Sequence, residues 1–169
     1  MILVTGFGPF GGVTDNPSAR VVRLVHGRMV GGETVVGRVI PVSYARAPAE
    51  TLACARTIRP RLVLGIGVAT ARSRVEVERR AVAGGDGRTP DVDGVVAPWA
   101  DGPVVAATID ASALALALGA HVSDDAGRYV CNAWLHVVAS ALDVPVGFVH
   151  VPSEGLDPER LIAALRQFV

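Results

Sequence analysis

A cysteine, a histidine and a pair of carboxylates carry most of the reactive chemistry in this sequence. Cys131 stands in Ala126-Gly127-Arg128-Tyr129-Val130-Cys131-Asn132, where a glycine-containing turn leads into an apolar helical stretch. A thiol in the first turn of a helix feels the positive end of the dipole, which lowers its pKa and favours thiolate. Taken alone, a free cysteine is more often an inert core residue. Cys54, at the edge of the apolar face of another predicted helix, reads that way. His150 ends the run Val146-Gly147-Phe148-Val149-His150, at the carboxyl edge of a strand, where ligands gather in open α/β sheets. His26, His121 and His136 fall on predicted helix surfaces or loops. Glu76 and Glu78 lie in Val75-Glu76-Val77-Glu78-Arg79-Arg80. Both are exposed strand residues paired with arginines, or one turns inward to orient His150, as the third member of a nucleophilic triad does.

The elements that must position these groups follow from the apolar pattern. Ile2 to Thr5 is a buried strand, followed by the glycine-rich loop Gly6-Phe7-Gly8-Pro9-Phe10-Gly11-Gly12. Asn16-Pro17 reads as N-cap and first position of a helix that runs to about Met29 and stops at Gly31-Gly32. Thr34 to Val42 is a second strand, Tyr44 to Arg59 a helix closed by Pro60, and Leu62 to Ile66 a third strand ended by Gly67. Val75 to Val82 is an extended segment, and Ala83 to Gly102 a loop dense in Gly, Asp and Pro. Helices over Ile109 to Leu118 and Tyr129 to Leu142 flank the polar turn Ser123 to Arg128. A strand over Val144 to Val151 and a helix over Asp157 to Phe168 complete the chain. Strands alternating with helices predict one α/β domain over residues 1–169: a largely parallel twisted sheet with helices on both faces, an α/β/α sandwich.

Composition narrows the function. Of 169 residues, 50% are hydrophobic and 19% charged, enough apolar material for a core and too little charge for a disordered chain. The net charge is zero and no basic stripe is present, which argues against a nucleic-acid partner. All basic residues are arginine, so a lysine Schiff base and a P-loop lysine are excluded. Two cysteines cannot build a disulfide framework or a cysteine-rich zinc site, and no H-x-x-x-H spacing exists. The start of the chain lacks a signal peptide's charged and apolar regions, and no apolar run reaches membrane-span length. We therefore expect a reduced, cytoplasmic protein with no membrane partner. Gly6-x-Gly8-x-x-Gly11 fits the dinucleotide fingerprint after a strand. Against it, Pro9 interrupts the run, the helix signal waits until Asn16-Pro17, and no acidic residue ends the second strand. Phe7 and Phe10 either line an apolar pocket or plug the core.

Four blocks, in order, resemble the pyrrolidone-carboxylate peptidase (pyroglutamyl peptidase I) family of cysteine peptidases. They are Val4-Thr5-Gly6-Phe7-Gly8-Pro9-Phe10-Gly11-Gly12 with Asn16-Pro17-Ser18, the glutamate segment Val77 to Val82 followed by Arg88-Thr89-Pro90-Asp91, the Cys131 block, and Gly147-Phe148-Val149-His150-Val151-Pro152. The resemblance covers the chain nearly end to end. It implies a triad of Cys131, His150 and Glu78 and an apolar pocket formed by Phe7, Phe10, Asn16, Val68, Tyr129 and Val130. It implies that Arg88 lies close to the acyl site. The substrates implied are peptides or small amides with an N-terminal pyroglutamate, cleaved without metal or cofactor, and the family's usual tetramer implies a homo-oligomer. Three features depart from the family pattern. Val68 stands where glutamine is usual, Ala83 where asparagine is usual, and the stretches either side of Cys131 are shorter. Losing a polar side chain from a small pocket can leave a ligand group unpaired, at about 1–3 kcal/mol. Two other readings stay open on these residues: a thiol amidase for a different small N-acyl cap, and a catalytically silent α/β relative acting as a binding protein.

Overall fold

A computed structural model describes every residue from Met1 to Val169. Nine strands and five α-helices follow one another as β1 (Ile2–Phe7), α1 (Pro17–Val25), β2 (Met29–Val30), β3 (Glu33–Ile40), α2 (Arg46–Ile58), β4 (Leu62–Val68), β5 (Glu76–Glu78), β6 (Arg80–Ala81), β7 (Val105–Ala106), α3 (Ala111–Leu118), β8 (His121–Ser123), α4 (Val130–Ala141), β9 (Val146–Val151) and α5 (Pro158–Leu165). A short 3-10 turn, Arg166–Phe168, ends the chain. The main sheet has the order β2-β3-β1-β4-β9-β5-β8. Its centre, β3-β1-β4-β9, is parallel, while β5 runs antiparallel to β9 and β2 antiparallel to β3. Strands β6 and β7 form a separate two-stranded ribbon. No helix is long and apolar enough to cross a membrane.

The expected α/β/α sandwich is what forms, with several local differences. Helix α1 ends at Val25 rather than near Met29. Gly27, at φ 79°, breaks it, and Met29–Val30 then pairs back onto β3 through the Gly31-Gly32 turn, at φ 55° and 84°. Both glycines occupy left-handed backbone that a side chain would strain. Gly67 does not end β4, which continues to Val68. The extended segment after Val75 is divided: β5 joins the main sheet and β6 leaves it. His121, expected on a helix surface or loop, lies in β8.

The two faces of the sheet bury different material. Because side chains alternate along a strand, Ile2, Val4, Leu62, Leu64, Ile66, Val149 and Val151 point to one face and pack with α1, α3 and α5. Leu3, Phe7, Val63, Val146 and Phe148 point to the other and pack with Trp134, Leu135 and Val138 of α4 and Ala47 and Ala55 of α2. Side chains cap three helices by accepting backbone N–H groups: Asn16 on α1, Asp110 on α3 and Asp157 on α5.

Candidate active site

The carboxyl ends of β1, β4 and β9 open into a cavity of about 350 Å³ beside the N-terminus of α4. Phe7, Phe10, Asn16, Val68, Tyr129, Cys131 and His150 all line it, joined by Val42, Ala126, Gly127 and the turn Ala69–Arg72. Most of this lining is apolar.

Two glycines in β4 make room for the thiol. Gly65 and Gly67 share a face with their β9 neighbours Phe148 and His150. A Cβ on Gly67 would stand 2.7 Å from the Cys131 Sγ, and one on Gly65 would stand 2.6 Å from Trp134 Cζ3. Real Cβ atoms do not approach so closely, so α4 can rest on this strand only because both side chains are missing. Cys131 thereby lies over Gly67, beside His150 in the next strand. Tyr129 precedes α4 without a side-chain cap. The first-turn N–H groups, which have no intrahelical acceptor, therefore begin at the cavity's edge.

Behind His150, the antiparallel pairing of β5 with β9 sets Glu76 opposite His150 and Glu78 opposite Phe148. All four side chains thus share one face, and Glu78 reaches His150 along the diagonal. The His150 Nδ1–H donates to Glu78 Oε1 at 2.7 Å. Glu78 is fully buried and His150 nearly so. Glu76, one pleat further along, is instead part-exposed and pairs with Arg72 and Arg74. The inward-turning carboxylate is therefore Glu78.

The thiol's environment differs from the expected one. Burial pushes the Cys131 thiol up to about 12, and the Glu78 carboxylate adds to the rise; Arg72 pulls it down without offsetting them. Desolvation of the thiolate is the largest of these effects.

Two expected pocket residues lie elsewhere. Arg88 is exposed and does not line the cavity; its backbone N–H donates to Asp86 in a tight turn that also holds Thr89. The Val130 side chain is wholly buried in the α2/α4 core cluster, while its neighbour Cys131 faces the cavity over Gly67. Asn16 does reach the cavity while holding the glycine loop: its Nδ2 donates to the Gly8 carbonyl and its Oδ1 accepts from Ser18. Tyr129 donates its hydroxyl to the Pro90 carbonyl and packs edge-on to Tyr44, which braces the outer wall. Cys54 is half-buried against the α2/α4 cluster and is not disulfide-bonded. No group of three or more His, Cys, Asp or Glu side chains is arranged to hold a metal ion.

Arg72 is absent from the expected site residues. It lines the cavity, and its guanidinium bonds Glu78 Oε1 at 2.5 Å and the Asp125 carbonyl at 2.5 Å. A signal for it exists: it falls just past the carboxyl end of β4, where open α/β sheets place ligand contacts.

Comparison with known proteins agrees with this geometry. The family model described as pyroglutamyl peptidase matches residues 1–164. The chain is 37% identical to a pyrrolidone-carboxylate peptidase of Klebsiella pneumoniae, over 89% of this chain and 77% of that one. It is 33% identical to the enzyme of that name from Pyrococcus furiosus, over 95% and 83%. The solved structure of pyrrolidone carboxyl peptidase from Thermococcus litoralis superposes with a TM-score of 0.85 at 30% identity, covering 98% of this chain and 89% of that one. The chain belongs to the pyroglutamyl peptidase family, a family of cysteine peptidases.

Proposed function

We propose that this member of the pyroglutamyl peptidase family hydrolyses the amide bond after an N-terminal pyroglutamyl residue, with Cys131 as nucleophile, His150 as general base and acid, and Glu78 as the group that orients the imidazole. The observation that carries this reading is the convergence of one thiol and one carboxylate-held imidazole on a single apolar cavity. An uncharged five-membered lactam suits walls of phenylalanine, valine and tyrosine. Arg88 has no part in the reading, because it stands outside the cavity.

Attack on the carbonyl is coupled to transfer of the Cys131 thiol proton to His150 Nε2. Glu78 keeps Nδ1 protonated, so Nε2 is free to accept. The oxyanion meets the N–H of Cys131 in the first turn of α4. Collapse breaks the C–N bond as His150 returns the proton to the leaving amine, and a thioester remains. Water, deprotonated by His150, then hydrolyses it and restores the thiol.

We assign the whole of residues 1–169 to one domain and place it in the cytoplasm, since a thiol nucleophile must stay reduced. Val68 in the cavity wall favours a second reading on its own account. An apolar residue there also suits another small N-acyl cap, so the acyl group is the less constrained half of the proposal.

Release of a fluorescent amine from a pyroglutamyl amide, by wild type and Cys131→Ala under reducing conditions, tests it. The expected outcome is turnover by the wild type and a loss of about 10⁴-fold or more in the variant. Turnover of other acyl amides but not pyroglutamyl would move the assignment to the second reading. Folded wild type that cleaves none would sink both.

A further inference from the structure

We propose that Arg72 is a positioning residue of this site: its guanidinium holds the Glu78 carboxylate in line with His150 and ties the loop before α4 to the same carboxylate. The inference rests on the thiol-peptidase reading above.

Glu78 needs more than a histidine. It has no exposure at all, and its Oε2 finds no hydrogen-bond partner. Every contact it makes passes through Oε1, which accepts from His150 Nδ1 at 2.7 Å and from Arg72 Nη1 at 2.5 Å. A carboxylate buried against a neutral imidazole alone lacks a counter-charge, and buried charge without one is strongly disfavoured. Arg72 is the cation in contact with it. The same Nη1 also pairs with Glu76, which in turn accepts from Arg74 Nε at 3.2 Å. Arg72 therefore has little freedom to swing away from Glu78.

The other arm of the fork performs a separate task. Arg72 Nη2 donates to the Asp125 carbonyl at 2.5 Å. The next two residues, Ala126 and Gly127, are cavity wall, and Cys131 follows within one turn of α4. One planar group thus fixes the orientation of the carboxylate and the position of the loop that delivers the nucleophile. A lysine ammonium could supply the charge but not both directed contacts. The charged and titratable groups around Cys131 are Glu78 from β5, His150 from β9, Arg72 from the β4–β5 turn, and Tyr44 and Tyr129 from the outer wall. Among them Arg72 is the charged group that favours the thiolate.

A double-variant cycle tests this, with wild type, Arg72→Met, Glu78→Gln and both together, plus Arg72→Lys. On a pyroglutamyl amide, Arg72→Met is expected to lower kcat roughly 10- to 100-fold, part of what general base catalysis contributes, with a smaller change in KM. Added to Glu78→Gln, it should lower kcat less than about threefold, because the group it acts through is gone. Arg72→Lys should recover part of kcat. Losses that multiply across the cycle, or a change in KM alone, would overturn the proposal. If Arg72→Met does not fold, the same cycle is run with Arg72→Lys, whose charge is retained. A second readout needs no substrate. The His150 Nδ1 proton, hydrogen-bonded to Glu78, should give a downfield NMR resonance that Glu78→Gln identifies. Arg72→Met should shift or broaden it and Arg72→Lys retain it; an unchanged resonance in Arg72→Met counts against the proposal. Absence of wild-type turnover would defeat the pyroglutamyl reading while leaving this test intact.

Discussion

The two faces of the central sheet are built to different ends. On the α1/α3/α5 face, β1, β4 and β9 present Ile2, Val4, Leu62, Leu64, Ile66, Val149 and Val151, an aliphatic surface interrupted only at Gly6 and Gly147, where α1 and Ile109 lie close, and carrying no charge. On the α2/α4 face the same strands present glycines at positions 65 and 67, aromatics at 7 and 148, and His150, with Glu78 supplied from β5. Aliphatic packing is dense and tolerant of no gap, so the first face is where apolar burial chiefly stabilises the fold. The second uses its bare positions, Gly65 and Gly67, to seat Trp134 and Cys131, and it accepts a buried carboxylate. A single alternation along one strand, Leu64-Gly65-Ile66-Gly67, serves both.

That contrast is open to direct attack. Truncating the aliphatic face with Leu64→Ala should cost about 2–5 kcal/mol in denaturant unfolding, while kcat per folded molecule stays within about twofold of wild type. A large loss of kcat in the folded fraction would mean that the faces are not separable. Gly67→Ala should do the reverse. Its new methyl meets the Cys131 Sγ, so activity should fall by about 100-fold from displacement of the nucleophile, with about 1–3 kcal/mol of overpacking strain. Retained activity there would show that the thiol does not depend on the bare strand.

A pH titration sharpens the same comparison. An unfolded Cys131 loses its proton near pH 9, whereas the folded thiol holds it to about 12. Between those values the unfolded chain binds fewer protons, so stability falls as pH rises. Wild type should therefore lose stability relative to Cys131→Ala from about pH 9 upward and track it below. Parallel curves throughout would contradict a raised thiol pKa. The smallest effect is expected at the edge of the aliphatic face. Asp110 caps α3 by accepting from Ser112 and Ala113, and Asp110→Ala should cost about 1 kcal/mol with activity intact.

Most of this architecture was legible because short apolar, β-branched runs bounded by glycine or proline mark the four central strands, and Asn16-Pro17 and Asp157-Pro158 mark helix starts. The misses share a cause: pairing partners are not written locally. Met29–Val30 looked like the tail of a helix because its strand character comes from β3 across a turn. Two- and three-residue strands such as β7 and β8 carry too few residues to show a period. On residue types alone Glu76 and Glu78 were equivalent; the antiparallel register with β9 sets Glu78 diagonal to His150. Val130 and Cys131 are adjacent in sequence but 100° apart around a helix, which sends one to the core and the other to the cavity. The raised pKa of the thiol was hidden for a related reason, since proximity to a helix start can be read from sequence and depth below the surface cannot. The phenylalanines of the glycine loop do both things considered for them. Phe7 is buried in the core and also lines the cavity, with Phe10 half-buried beside it.

The seat of α4 on its bare strand also bears on how the chain can change length. Trp134 over Gly65 and Cys131 over Gly67 are three residues, nearly one helical turn, apart on α4, facing two alternate positions of β4. Two such contacts fix the rotational phase of the helix as well as its distance from the sheet. Residues gained or lost in the loop before Tyr129, or after Ala141, then leave the direction of the thiol unchanged, because phase is set inside the helix and not by its connections. Insertion of a single residue between Cys131 and Trp134 would instead rotate one contact about 100° away from the other. Outside the segment from Asp125 to Gly127, which Arg72 and the cavity wall hold, loop lengths on either side of α4 are therefore free to drift, while the four residues from Cys131 to Trp134 are not.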